Sequence, residues 1–258
     1  MKIRLKCPKC AELQGMDSPA VAEEWATIDD SGWFEFNCHQ DHKQLIELHN
    51  LKFDLLYENG AYALLDGYPR EAVATFASAL ERYYEFHLLL LAASRGVTRT
   101  AFDAAWRVIG NRSERQIGAY VVGHALEFGE APPTLAAEQK LEKLRNDVVH
   151  NGMLPTEVQA IEFGDEVLRI IRTGIATLRT LEVGKAGLLA KGYMWESARR
   201  RPVRYKENPA GQVGAFTIAS PMMASQTDAN LPAALKRLAQ FRDTWLNALD
   251  PRPAGPVF

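Results

Sequence analysis

All three cysteines of this 258-residue chain fall near its start, at Cys7, Cys10 and Cys38. An odd number of cysteines closes no disulfide framework, and thiols grouped in one short segment point to a metal instead. Cys7-Pro8-Lys9-Cys10 has the spacing of a two-thiolate knuckle, one edge of a tetrahedral site. Cys38-His39-Gln40-Asp41-His42 supplies the other edge. His42 suits the fourth position better than His39, because adjacent residues cannot easily both turn onto one ion, whereas a three-residue spacer lets the chain loop back. The expected ligands are therefore Cys7, Cys10, Cys38 and His42. They fill a zinc ion's four positions, so the sequence predicts one structural zinc per chain and no catalytic metal.

Between the two ligand pairs, Glu24–Ile28 and Gly32–Asn37 flank Asp29-Asp30-Ser31-Gly32, which reads as a hairpin rich in aromatics at Trp33, Phe34 and Phe36. With a short alternating strand at Gln44–Leu48, residues 1–48 resemble a zinc ribbon, a module small enough to need its metal to fold.

The remainder reads as mainly helical. Asn50–Asp66 is apolar at helical spacing, with an interruption expected at Asn59-Gly60. Pro69 suits the first turn of a long helix to Ser94, whose stripe runs Val73, Phe76, Leu80, Tyr84, His87, Leu88 and Leu91. Ala101–Ile109 and Ser113–Phe128 follow. Thr134 is a good N-cap for the next helix, which stops at Asn151-Gly152, and a last long helix runs from Pro155-Thr156 to Leu181. Short connections make consecutive helices antiparallel neighbours. Glycines weaken the signal over Val183–Asp228, read as loop with one strand at Val213–Ala219, before a terminal helix at Pro232–Leu249 and a Pro-rich tail. Three regions result: 1–48, 49–182 and a C-terminal extension, 183–258.

Composition narrows the function. Lys plus Arg number 30 against 32 Asp plus Glu, a net charge of -2, which argues against a polycation that coats nucleic acid indiscriminately. The longest clean apolar run, Leu88–Ala93, is far too short to span a bilayer, and the opening MKIRLKCPKC lacks a secretory h-region, so no membrane association and a cytoplasmic location are expected. No GxxxxGK[ST], GxGxxG or HExxH string occurs, leaving ATPase, dinucleotide and zincin chemistries without support.

The chemistry concentrates in Arg145-Asn146-Asp147-Val148-Val149-His150, an Arg-x4-His spacing at a helix C-terminus. Arg82 and His87 repeat that spacing, but His87 lies on an apolar stripe and reads as a core histidine. His150 lies in a last turn before Asn-Gly, with no continuing apolar face. Asn146 and His150, four apart, share a helix face, and Arg145 is long enough to reach the same place.

In this setting the segment resembles the Arg-x4–6-His signature of the HEPN superfamily, in which a polar residue usually follows the arginine. The upstream segments Tyr68-Pro69-Arg70-Glu71-Ala72-Val73 and Ala79-Leu80-Glu81-Arg82-Tyr83, followed by the motif helix and another long helix, fit the bundle order over about residues 50–182. The resemblance implies a mainly α protein, an antiparallel helical bundle behind a small N-terminal β zinc ribbon. It further implies a homodimer whose two motif helices form one composite cleft, and metal-independent endoribonuclease activity, as in toxin or antiphage (antiviral-defence) effectors. RNA supplies its own nucleophile, the 2′-OH. On this reading Arg145, His150 and Asn146 are catalytic, and Glu81 orients Arg145. The implied products are a 2′,3′-cyclic phosphate and a 5′-hydroxyl.

Two other readings compete with it. A non-catalytic RNA- or nucleotide-binding module would use the ribbon and the basic run Arg199, Arg200, Arg201 and Arg204 with Tyr205, which can stack on a base. A protein-interaction scaffold would dock a regulatory partner such as an antitoxin or sensor protein.

Overall fold

A computed structural model of the chain describes every residue except 1, 16, 17, 19, 28, 136–138, 183–186, 204–210, 214–220, 223–229 and 250–258. It is mainly helical with a small N-terminal β region. The order is β1 (Lys2–Lys6), α1 (Pro8–Gln14), β2 (Glu23–Thr27), β3 (Trp33–Asn37), β4 (Lys43–Leu48), α2 (Lys52–Leu65) and α3 (Pro69–Ser94). After these come α4 (Arg99–Ile109), α5 (Ser113–Phe128), α6 (Gln139–His150), α7 (Glu157–Glu182), α8 (Leu188–Arg200), β5 (Gly211–Val213) and α9 (Leu231–Leu249). The chain divides into two compact units, with divisions falling at the start of α2 and inside α3 and α7 as well as between elements: Met1–Lys52, Glu85–Gly129 and Thr177–Phe216 form one, and Phe53–Tyr84, Glu130–Ala176 and Thr217–Phe258 the other.

In the first unit the strands do not pair as the sequence suggested. β2 lies antiparallel to β1, with Arg4 opposite Trp25, rather than forming a hairpin with β3. β3 instead pairs antiparallel with β4, and β5 joins β4 in parallel, with Ile46 opposite Gly211. Asp29 does make its turn, its carboxylate accepting from the Ser31 backbone N–H at 2.8 Å, but this turn joins strands of two different sheets. Residues 8–14 form a helix, α1, where a bare knuckle was expected: Pro8 is pre-set for a first turn, and Cys10 and Ala11 face inward. The segment read as loop after residue 183 contains α8, whose Tyr193 ring packs on Phe86 and His49. Of the strand expected at Val213–Ala219, Val213 ends β5 and 214–219 lie outside the described residues.

The same unit holds the His87 imidazole fully buried, 3.2 Å from His124 Nδ1 and edge-on to Tyr120. Leu89, Phe102 and Trp106 form an adjoining cluster that fixes α4.

The second unit is helical. Phe53 meets Tyr83 edge-on, Tyr57 packs on Phe76, and the buried Tyr57 hydroxyl donates to the Gly164 carbonyl at 3.0 Å. The break expected at Asn59-Gly60 does not occur. Gly60 is a contact rather than a hinge: a Cβ there would stand 2.7 Å from the Phe76 ring, so its absence lets α2 and α3 close together. α7 begins on a capping box, Thr156 accepting from the Gln159 amide while Gln159 Oε1 accepts from the Thr156 amide. Asp165 receives the Leu231 N–H at the start of α9.

Candidate functional site

The α6 helix is held by Leu141, Leu144 and Val148, all buried, each worth roughly 1.5–3 kcal/mol when removed from water. This fixes which residues face outward: Lys143, Asn146, Val149 and His150 are exposed, and Arg145 lies at the boundary. The helix ends where the Asn151 and Met153 amides both return to the Asp147 carbonyl.

Arg145 organises the helix tip. Its Nη2 donates to Glu81 Oε1 on α3 at 2.7 Å, its Nη1 donates to Asn146 Oδ1 at 2.8 Å, and the same Nη1 lies 3.4 Å from His150 Nε2. The Arg145 and Glu81 side chains are only 14% and 25% exposed, so the ion pair is partly shielded from solvent, unlike an ordinary surface pair. One guanidinium edge is thus anchored on a neighbouring helix while the other borders an exposed imidazole and amide. All four side chains named from the sequence (Arg145, Asn146, His150 and Glu81) meet here.

Sequence reasoning missed the brace beneath the tip. Asp147 accepts from Lys143 and, at 3.0 Å, from Asn151. The Lys143 hydrogen bond first, then Asn151, holds its carboxyl below the usual carboxylate range. The Lys143 to Asp147 to Asn151 series of i,i+4 steps was the available signal.

The second constellation is metal-ligating. Cys7, Cys10, Cys38 and His42 offer ligand atoms that all lie within 4.8 Å of one another, with the three cysteines buried. Cys10 Sγ is 3.9 Å from Cys38 Sγ, and His42 Nδ1 lies 3.2, 3.7 and 3.8 Å from Cys10, Cys38 and Cys7. A tetrahedral ion with metal–sulfur bonds of about 2.3 Å and a metal–nitrogen bond of about 2.0 Å separates its ligand atoms by roughly 3.5–3.8 Å. The cluster therefore has the dimensions and the soft donor set to hold a metal ion.

Local chain geometry explains the fit. Cys7 caps α1 and Cys10 is in its first turn, which brings both thiols to one side. Asp41 adopts φ 60°, and the Cys38 and Asp41 amides close the turn, returning His42 to the thiols. His39 turns away to Glu24, 2.8 Å from its Nδ1. Burial pushes the Cys7 thiol up, but the Cys10 backbone N–H and hydrogen bonds from His42, Cys10 and Cys38 outweigh it and bring the thiol down to about 7. Gln44, which sequence reasoning did not single out, donates to Cys7 Sγ at 3.1 Å.

The basic run does not form a described cluster. Arg204 and Tyr205 lie outside the described residues, as do the side chains of Arg199 and Arg200 at the end of α8. The Arg201 guanidinium stacks 4.7 Å over the buried Trp33 ring, an intramolecular contact that gives it a packing role. Among the described residues no helix is long and apolar enough to cross a membrane. No protein-family model, curated protein or solved structure matches the chain.

Proposed function

We propose that the chain is a metal-independent endoribonuclease of HEPN type, working as a homodimer whose α6 tips face each other. The observation that carries this reading is Arg145, tied on one edge to Glu81 and engaging Asn146 and His150 with the other. Imidazole is the side chain suited to moving protons near neutral pH, and guanidinium presents a fixed, permanently charged fork to phosphate oxygens.

His150 of one copy takes the proton from the RNA 2′-OH, and the oxygen attacks phosphorus. The bond from phosphorus to the 5′ oxygen breaks, and the partner's His150 protonates that oxygen, leaving a 2′,3′-cyclic phosphate and a 5′-hydroxyl. Arg145 stabilises the charge gathered on the non-bridging oxygens, and Asn146 orients the phosphate. A second copy is supported by exposed apolar residues beside the motif: Val149, Leu154 (79% exposed) and Val158 (65% exposed) would be shielded by self-pairing at this tip.

The Cys7, Cys10, Cys38 and His42 cluster takes zinc in this reading. The ion supplies folding energy to the N-terminal strands and α1 and leaves no open coordination position for the reaction. Metal analysis returns one zinc per chain, and Cys7→Ser loses the ion together with the fold of that segment; a stoichiometry near zero contradicts the assignment.

Incubation of the purified protein with total RNA, with the new ends mapped, tests the activity. Salt-dependent RNA binding that never yields cleaved product would favour a non-catalytic RNA-binding module.

A further inference from the structure

The three thiols of the Cys7, Cys10, Cys38 and His42 cluster differ in what covers their sulfurs. Cys7 Sγ accepts from the Gln44 side-chain amide at 3.1 Å and from the Cys10 backbone N–H. Cys10 Sγ has the Ala22 backbone N–H and the Gln40 side-chain amide, at 3.3 Å, against it. Cys38 Sγ, among the described residues, meets only its fellow ligands, with Cys10 Sγ at 3.9 Å and His42 Nδ1 at 3.7 Å. An N–H donated to a thiolate draws electron density from the sulfur, and nucleophilicity falls with basicity. Cys38 is therefore the most reactive sulfur of the metal-loaded cluster.

Its place in the chain agrees. His39, Gln40 and Asp41, the turn that links Cys38 to His42, are exposed, and His42 is half-buried. Cys38 is 2% exposed, whereas Cys7 and Cys10 are fully buried. A reagent little larger than water needs only such an edge, or a brief opening of the turn.

We propose that Cys38 and Cys10 are a peroxide-sensitive pair that releases the zinc, with Cys38 as the attacking thiolate and Cys10 as the resolving one. This role rests on the zinc reading above and adds a control to what is there a purely structural ion. The Cys38 thiolate attacks one oxygen of hydrogen peroxide; the S–O bond forms, the O–O bond breaks and hydroxide leaves, giving a sulfenic acid. The Cys10 thiolate, 3.9 Å away, attacks that sulfur; the S–S bond forms and the S–O bond breaks, expelling a second hydroxide. Two electrons pass from the two thiolates to the peroxide. The ion is left with Cys7 and His42, too few ligands for a tetrahedral site, and dissociates. The folding energy it gives the N-terminal strands and α1 goes with it.

Zinc-loaded full-length protein, treated with a modest excess of hydrogen peroxide and quenched in acid, tests the pair. Released zinc is followed with a chromophoric chelator, and the remaining thiols are alkylated before peptide mass mapping. One zinc leaves for each disulfide formed. The disulfide joins Cys10 to Cys38 at a mass about 2 Da below the reduced pair, and Cys7 is recovered alkylated. Dithiothreitol with added zinc restores the circular dichroism spectrum, as a sulfinic acid would not allow. Gln44→Ala uncovers Cys7 Sγ and brings Cys7 into the disulfide several-fold more often than in the wild type, a redistribution that a merely structural Gln44 does not produce. Zinc that stays bound through the treatment, a wild-type disulfide that includes Cys7, or an unchanged map in Gln44→Ala overturns the proposal. Protein that holds no zinc before peroxide is added contradicts the zinc reading itself, and the release with it.

Discussion

Arg82 to His87 on α3 and Arg145 to His150 on α6 have the same spacing on the same kind of element, yet the two histidines live in opposite surroundings. His87 sits mid-helix on an apolar stripe, fully buried, with its Nε2 bonded to His124 and aromatic rings of Tyr120 and Phe128 against it. His150 sits at a helix end, exposed, with a guanidinium at 3.4 Å whose far edge is anchored on Glu81. Position within the helix, rather than the spacing, separates a structural imidazole from one able to meet a substrate. Burial first, and then the field of His124, lowers the His87 pKa to about 3, which keeps that ring neutral and removes it from acid–base work at physiological pH.

The largest effect that would break this contrast is on cleavage. His150→Ala and Arg145→Ala each lower single-turnover RNA cleavage on the order of 100-fold or more, as expected for a proton-transfer group and a charge stabiliser; melting temperature is nearly unchanged in His150→Ala and falls in Arg145→Ala, which removes the cation from the shielded Glu81 carboxylate. His87→Ala does the reverse. It leaves a cavity and removes the buried His87–His124 hydrogen bond, costing about 2–4 kcal/mol in denaturant unfolding, while the remaining folded protein cleaves at the wild-type rate. Equal activity losses in the two histidine variants would erase the distinction.

A smaller effect follows from His87 and pH. Between about pH 3 and 6.5 the unfolded chain binds a proton on this ring that the folded chain does not, so stability rises with pH through that window. The contribution is complete above about pH 6.5 and is lost as the pH falls toward 3, at up to about 1.4 kcal/mol per pH unit. Urea melts at a series of pH values detect this slope, and His87→Ala flattens it.

The smallest effect is at Glu81. Glu81→Gln keeps a hydrogen-bond acceptor for Arg145 but removes the charge, and lowers cleavage about ten-fold, on the order of 1.4 kcal/mol, through looser positioning of the guanidinium. Because Glu81 acts through Arg145, the Arg145→Ala, Glu81→Gln double variant is no slower than Arg145→Ala.

The sequence patterns differ in how far they could be read. Helices whose apolar positions repeat over many turns were legible: spacing places Ile161, Val167, Leu168, Ile171, Ile175 and Leu178 inward on α7, and all are buried except Ile161, which is half-buried. So was the choice of His42 over His39, because chain stiffness between adjacent residues is a local property. Strand partners were not legible. β1 and β2 are five residues each, too short for alternation to specify a mate, and Cys7, which directly follows β1, is tied through its amide to the Ala22 carbonyl just before β2.

Glycine misled the reading twice in the same way. Gly60 and Gly192 looked like helix breakers, a fair inference from propensity alone. In the fold, a Cβ at Gly192 would lie 2.4 Å from Leu90 and one at Gly60 2.7 Å from Phe76, so each glycine makes room for a large neighbour within its own unit. Contacts with residues distant in sequence decided both cases, and a local window contains none of them. The bond between Arg145 and Glu81 was legible only as a position on an upstream helix, since nothing in α6 itself names its partner.

Cleavage of a defined RNA by the wild type, Arg145→Ala and His150→Ala proteins, with and without EDTA, is the most direct measurement. Cleavage to 2′,3′-cyclic phosphate and 5′-hydroxyl ends, retained in EDTA by the zinc-replete wild type and lost on the order of 100-fold in both variants, is the expected result. Cleavage that survives both substitutions, or that EDTA abolishes while the protein stays folded, would contradict the account.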